Sequence, residues 1–169
     1  MQVLVCAILA VLPLVRAVTH PLFDATAAQS NAVAFIARMY EEYSWETKDS
    51  GSPGKKPLFS APAAVLQRFF DAPLTKAILA DRACEARVQG ECNLDFDPMW
   101  NSQDPGGVTV QVVPTGDSMV VQARLHYPYD NETRVVTYRM RNTPAGLRIA
   151  DMSAQRWPSL LKLLQRPVR

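Results

Sequence analysis

The chain is poor in the residues from which active sites and metal sites are usually built. Of 169 residues, two are histidine and three are cysteine. It contains no nucleophile motif, no glycine-rich phosphate loop and no metal-ligand constellation. A tetrahedral zinc site needs four ligands, and no histidine lies near the cysteines. No cofactor is therefore expected. His20 lies close to the start. His126 falls on the same side of an alternating run as Gln122 and Arg124, which points it outward or to a rim. A formal net charge of +2 is too small to argue for nucleic acid or for an anionic membrane. Repeats, low-complexity runs and long charge blocks are missing too. Only the end is lopsided: Arg156, Lys162, Arg166 and Arg169 have no acid after Asp151, which reads as a solvated basic helix face. What is present is ordinary. Apolar residues make up 48% and charged residues 20%, enough for one folded core.

The longest apolar run, residues 3 to 15, is too short for a membrane span, which takes about 20 residues. Val15 and Ala17 are small residues placed for cleavage after Ala17, so residues 1–17 read as a signal peptide. The start, Met-Gln, lacks Lys or Arg. Residues 18–169 then form a single domain, periplasmic or secreted, with no stable membrane anchor after cleavage. Removal of Cys6 leaves Cys84 and Cys92 in an oxidising compartment, where an even pair reads as a disulfide. Gly90 would permit the turn between them. Such a short loop contributes about 2–3 kcal/mol.

The first half has helical spacing. Ala32, Phe35, Ile36, Met39, Tyr40 and Tyr43 share one face of a helix expected over about Thr26 to Trp45, with Arg38, Glu41, Glu42 and Glu46 mostly opposite. That stripe reads as core, its tyrosine hydroxyls finding partners. Residues 48 to 57, KDSGSPGKKP, are a loop. A second helix starts near Ser60 as cap, with Pro62 in its first turn. Asp71-Ala72-Pro73 starts a third helix, carrying Leu74, Ala77, Ile78, Asp81 and Cys84. Pro73 forbids one continuous helix.

After Pro105 the period becomes 2. Four alternating runs begin at Val108, Met119, Thr133 and Gly146, separated by polar turns, and they read as an antiparallel meander. A short helix over Trp157 to Gln165 ends the chain. Helices followed by a sheet give an α+β fold, with the sheet covered on one side.

Between the halves lies the densest acidic cluster, Leu94-Asp95-Phe96-Asp97-Pro98, then Trp100 and Asn101-Ser102-Gln103-Asp104. Three readings compete. Asp97-Pro98 and Asp104-Pro105-Gly106 are local start and turn signals, so the carboxylates could simply bond backbone N–H groups. The oxygens also suit calcium, although the spacing lacks the glycine and terminal Glu of an EF-hand; no metal is expected. Finally Asp95, Asp97, Trp100, Asn101, Gln103 and Asp104 form a candidate ligand-binding set at the lip of a pocket.

The same residues resemble the signature of a bacterial exported family of unknown function, whose members are similar to the nuclear transport factor 2-like (cystatin-like) cone. Gly146-Leu147-Arg148-Ile149-Ala150-Asp151-Met152 resembles its closing strand. The resemblance spans roughly residues 30 to 163 and is most specific over 94 to 104. It implies four strands curled over N-terminal helices, and export, but no reaction.

The expected function is an exported, non-catalytic domain that binds a protein or small molecule. The alternatives are a periplasmic immunity-type inhibitor of a toxin, or an isomerase- or dehydratase-like enzyme using the cone cavity. For the enzyme, Asp97 and Asp151 are the carboxyls that burial could tune. Asn131-Glu132-Thr133 matches a glycosylation sequon, read here as chance.

Overall fold

A computed structural model describes residues 21–48 and 54–167. The expected signal peptide, Cys6, His20 and the middle of the 48–57 loop lie outside the described residues. Among the described residues no helix is long and apolar enough to cross a membrane.

Helix α1, Pro21–Glu42, starts earlier and stops sooner than its periodicity suggests. Its expected face is the buried one: Ala32, Ile36, Met39, Tyr40 and Tyr43 are all in the core. A single 3-10 turn, Ser44–Thr47, then changes the direction of the chain. That change of geometry buries Glu46, which helical spacing assigns to the polar face.

A second 3-10 turn, Leu58–Ser60, leads into α2, Ala63–Phe69. Ser60 belongs to that turn and does not cap the helix; Pro62 occupies the cap position, without a side-chain bond. Pro73 breaks the helix pair as expected. Phe70 is extended, and α3 runs over Ala72–Val88. Asp71 caps α3, its Oδ1 accepting from the Leu74 N–H at 3.1 Å. The break also docks the helices onto the sheet, because Asp71 N–H donates to Ile149 O at 2.9 Å. Arg141 reaches the other Asp71 oxygen at 2.7 Å.

Strands β1 (Thr109–Pro114), β2 (Val120–Tyr127), β3 (Glu132–Thr143) and β4 (Gly146–Ser153) form one antiparallel sheet in chain order. Val121, Ala123, Leu125 and Tyr127 face the helices, and their cross-strand neighbours Val136 and Tyr138 lie beside them in the core. Arg124, His126, Val135 and Arg139 are exposed on the other face, so His126 does point outward. This is the alternation of a sheet covered on one side. Gly146, at φ +98, makes the tight β3–β4 turn in a conformation that an L side chain would strain.

Helix α4, Leu160–Leu164, is shorter than expected. Trp157 is not part of it; it is buried and bridged to Ala154. Ser159 caps α4 through Lys162 N–H at 3.1 Å. Asp151 holds the same end, accepting from Ser159 Oγ at 2.7 Å and Leu161 N–H at 3.0 Å. Asp151 is thereby a helix-positioning carboxylate rather than a free acid. The chain is an α+β fold: helices first, then four antiparallel strands, then a short helix.

Cys84 and Cys92 form a disulfide. The residue that turns the chain between them is Gln89, at φ 56, and not Gly90. Just beyond the disulfide, Asn93 donates from N–H and Nδ2 to Asp81 Oδ1, both at 3.0 Å, and from Nδ2 to Leu164 O at 3.4 Å. The staple and this small net fix the start of the acidic stretch against α3 and α4.

Candidate functional site

The stretch from Asp95 to Asp104 folds as a closed turn. Asp97 N–H donates to Ser102 O at 2.9 Å, and Ser102 N–H returns to Asp97 O at 3.4 Å. Asp97-Pro98 does not start a helix. Asp97 Oδ1 instead accepts from Met99 N–H at 2.8 Å and Trp100 N–H at 3.4 Å, closing a tight turn. Asn101 takes φ 51, a left-handed conformation that asparagine tolerates better than most residues. That residue flips the chain, so the turn has an inner and an outer side.

The inner side is a buried polar knot. Trp100 is 1% exposed. Its Nε1 donates to Glu46 Oε2 at 2.8 Å, and Leu58 N–H donates to Glu46 Oε1 at 3.3 Å. Tyr40 donates its hydroxyl to Met99 O at 2.7 Å and lies 2.6 Å from the Tyr138 hydroxyl. Tyr127 donates to Trp100 O. Burial pushes the Asp97 carboxyl up to about 7, and the nearby Glu46 charge adds to the rise. Burial raises Glu46 as well, partly offset by the bonds from Trp100 and Leu58. Tyr40 and Tyr138 are held far above the usual phenol range, chiefly by burial. Desolvation penalises the charged form of both carboxyls, and at Asp97 repulsion from Glu46 acts in the same direction.

The outer side borders an open cleft of about 540 Å³. Asp95, Asn101, Ser102, Gln103 and Asp104 form one wall. Phe96 and Trp157 line it as well, their ring centroids 5.8 Å apart. Trp157 Nε1 donates to Asn101 Oδ1 at 2.9 Å, so Asn101 ties the turn to the cleft's aromatic residues. Arg134 and Arg156 line the cleft too. Arg134 is fully engaged: it pairs with Asp130 at 2.8 Å and Glu132 at 3.3 Å, and stacks over Tyr127 at 4.2 Å. Arg156 is exposed and, among the described residues, has no ion pair or hydrogen bond from its guanidinium; the same holds for the Asp95 carboxylate.

Of the six candidate residues, Asp95, Asn101, Gln103 and Asp104 therefore come together on the cleft. Trp100 and Asp97 do not line it; they belong to the knot beneath. Asp104 does make the expected turn, its Oδ1 accepting from Gly106 N–H at 3.1 Å. Among the described residues no cluster of three or more His, Cys, Asp or Glu is placed to hold a metal ion. Sequence reasoning missed Glu46, Phe96, Arg134 and Trp157. Arg134 and Trp157 come from distant strands and connections, so only the fold brings them here. Glu46 had one usable signal, a lone acid directly after Trp45 where the helical stripe ends.

No family model matches the chain, and no curated protein or solved structure matches it significantly.

Proposed function

We propose that the chain is an exported, non-catalytic domain that holds a small molecule or a segment of another protein in the cleft beside residues 95–104. One observation carries this reading. A single turn spends its inner polar groups on the core and leaves the Asp95 carboxylate free on the same concave surface as the unpaired Arg156 guanidinium, beside Phe96 and Trp157. A concave surface where polar groups converge beside aromatic side chains is a form that binding sites take. The α+β order and the position of the cleft at the helix-to-sheet crossover agree with a nuclear transport factor 2-like cone of the exported family whose signature the stretch resembles. The disulfide agrees with export, since such bonds persist in oxidising compartments.

A thermal-shift screen tests the binding claim. A bound compound raises stability by RT ln(1 + [L]/Kd). Compounds that raise the melting temperature of the wild-type chain should fail to raise that of Asp95→Lys. Equal shifts in both proteins would remove the cleft from consideration. Intact-mass analysis of the exported protein tests the rest: an N-terminus at Val18 is expected, and an uncleaved Met1 would overturn export with processing.

A second reading has one observation in its favour. Asp97 titrates near neutrality beside the Tyr40–Tyr138 pair, as a general acid–base would. Against it, both N–H partners of Asp97 Oδ1 belong to its own turn, and Asp97 does not line the cleft.

A further inference from the structure

The 540 Å³ cleft is continuous at Asn101, Arg134 and Arg156 with a second hollow of about 780 Å³. The second hollow lies at the start of β3, lined by Glu132, Thr133 and Val135 together with Gln155 from the chain that follows β4. The two hollows together form a groove, not a closed pit. Its charges are arranged in an unusual way. Asp95 and Arg156 are opposite in sign, share the first hollow, and do not pair with each other. Arg134, between the hollows, is already neutralised by Asp130 and Glu132. The groove therefore offers one free carboxylate, one free guanidinium, an aromatic patch between flanking polar groups, and apolar contact at Val135 farther along. Gln103 Nε2 donates to Asp95 O at 2.7 Å, which fixes the amide and leaves its carbonyl oxygen and second N–H for an incoming backbone.

We infer that the groove takes an extended peptide segment of a partner protein, carrying an acidic side chain or C-terminal carboxylate for Arg156 and a basic group for Asp95. A peptide presents both charge signs and backbone N–H groups at a regular spacing, and it fills a groove of two linked hollows that a single amino acid would occupy only in part. Arg156 presents a fork of donors that suits a carboxylate. Charge placement of this kind sets the orientation and selectivity of the bound chain more than its raw affinity. The inference rests on the proposed cleft as the binding site.

The test is selection of a phage-displayed random dodecapeptide library against the whole disulfide-bonded chain. Affinities are read by fluorescence polarisation, and the site by amide chemical shifts. Enriched peptides should carry an acidic residue and shift amides on both hollows. Arg156→Glu should weaken them on the order of tenfold, and replacing the peptide's acidic residue by lysine should restore binding to that variant. Arg156 is exposed and unpartnered, so the variant should fold normally, and its denaturation midpoint is checked in parallel. Free amino acids and dipeptides form the second arm. If they shift amides of residues 95–104 while no longer peptide binds more tightly, the peptide inference fails and the cleft stands. Peptides that bind equally well to Arg156→Glu also overturn it. If neither peptides nor amino acids perturb the cleft, both readings fail.

Discussion

The two sides of the turn at residues 95–104 use the same residue types for opposite purposes. On the inner side, Glu46 and Asp97 accept from backbone and indole N–H groups, the Tyr40 and Tyr127 hydroxyls donate to main-chain oxygens, and the Tyr138 hydroxyl bonds that of Tyr40. On the outer side, Asp95 and Arg156 keep their charges unpaired beside Phe96 and Trp157. Position in the fold, not residue chemistry, separates structural acids from available ones. An acid buried without partners would cost several kcal/mol, and the knot's carboxyls are accordingly held by N–H donors; an exposed acid bears no such constraint.

The comparison breaks most violently at Trp100. Trp100→Ala should lose about 3–5 kcal/mol, the usual cost of deleting a buried large aromatic, and denaturant titration would show it. Trp100→Phe separates packing from bonding. It keeps most of the ring but leaves Glu46 Oε2 without its donor, and about 1–3 kcal/mol of loss is expected. A loss as small as that of a surface substitution would show that the knot is not under tension from its carboxylates.

The Cys84–Cys92 staple comes next. It lies one residue before Asn93, which binds Asp81 and borders the cleft. Replacing both cysteines by serine should cost about 2–3 kcal/mol by the loop-closure argument. The stability loss would be global, while the knot's own hydrogen bonds stay intact.

Acid–base behaviour sharpens the contrast further. Asp97 holds its proton to about 7 in the fold, against an ordinary 3.8. A raised acid means that, between those two values, the folded chain binds a proton that the unfolded chain has already lost. Unfolding free energy from this group therefore falls as pH rises from about 4 to 7, and it is flat above. Glu46, raised in the same direction, adds to the slope. The wild-type chain should lose about 2–3 kcal/mol more between pH 5 and pH 8 than Asp97→Asn, which keeps the Oδ1 acceptor and removes the titration. Midpoints in urea at the two pH values check this. Parallel pH profiles in the two proteins would remove Asp97 as the source.

The smallest effects belong to the outer side. Asp95→Ala and Gln103→Ala should each change stability by no more than about 0.5 kcal/mol, as surface substitutions do, while weakening any ligand of the cleft.

Much of this was legible beforehand, and the exceptions have physical causes. The strands, the Pro73 break, the Asp71 cap and the disulfide pairing follow from local rules, and all are present. The core face of α1 follows from its period. Glu46 escaped because a 3-10 turn replaced the last turn of helix and rotated it inward. Asp97-Pro98 reads locally as a helix start, yet the chain closes a turn there, since the Asp97–Ser102 bridge and the burial of Trp100 outweigh a single-turn preference. Asp95, Asn101, Gln103 and Asp104 were recognisable as candidates from their density. Their separation from Asp97 and Trp100 was not, because it depends on the left-handed Asn101 and on Trp157 arriving from beyond β4.

Native-state hydrogen exchange across residues 95–104 addresses the division most directly. Amides of Asp97, Met99 and Trp100 have acceptors within the turn, and that of Gln103 has none among the described residues. Slow exchange at the first three, approaching the free energy of global unfolding, with fast exchange at Gln103 is the expected pattern. Uniform exchange along the stretch, whether fast or slow, would contradict a turn divided between a structural and an available side.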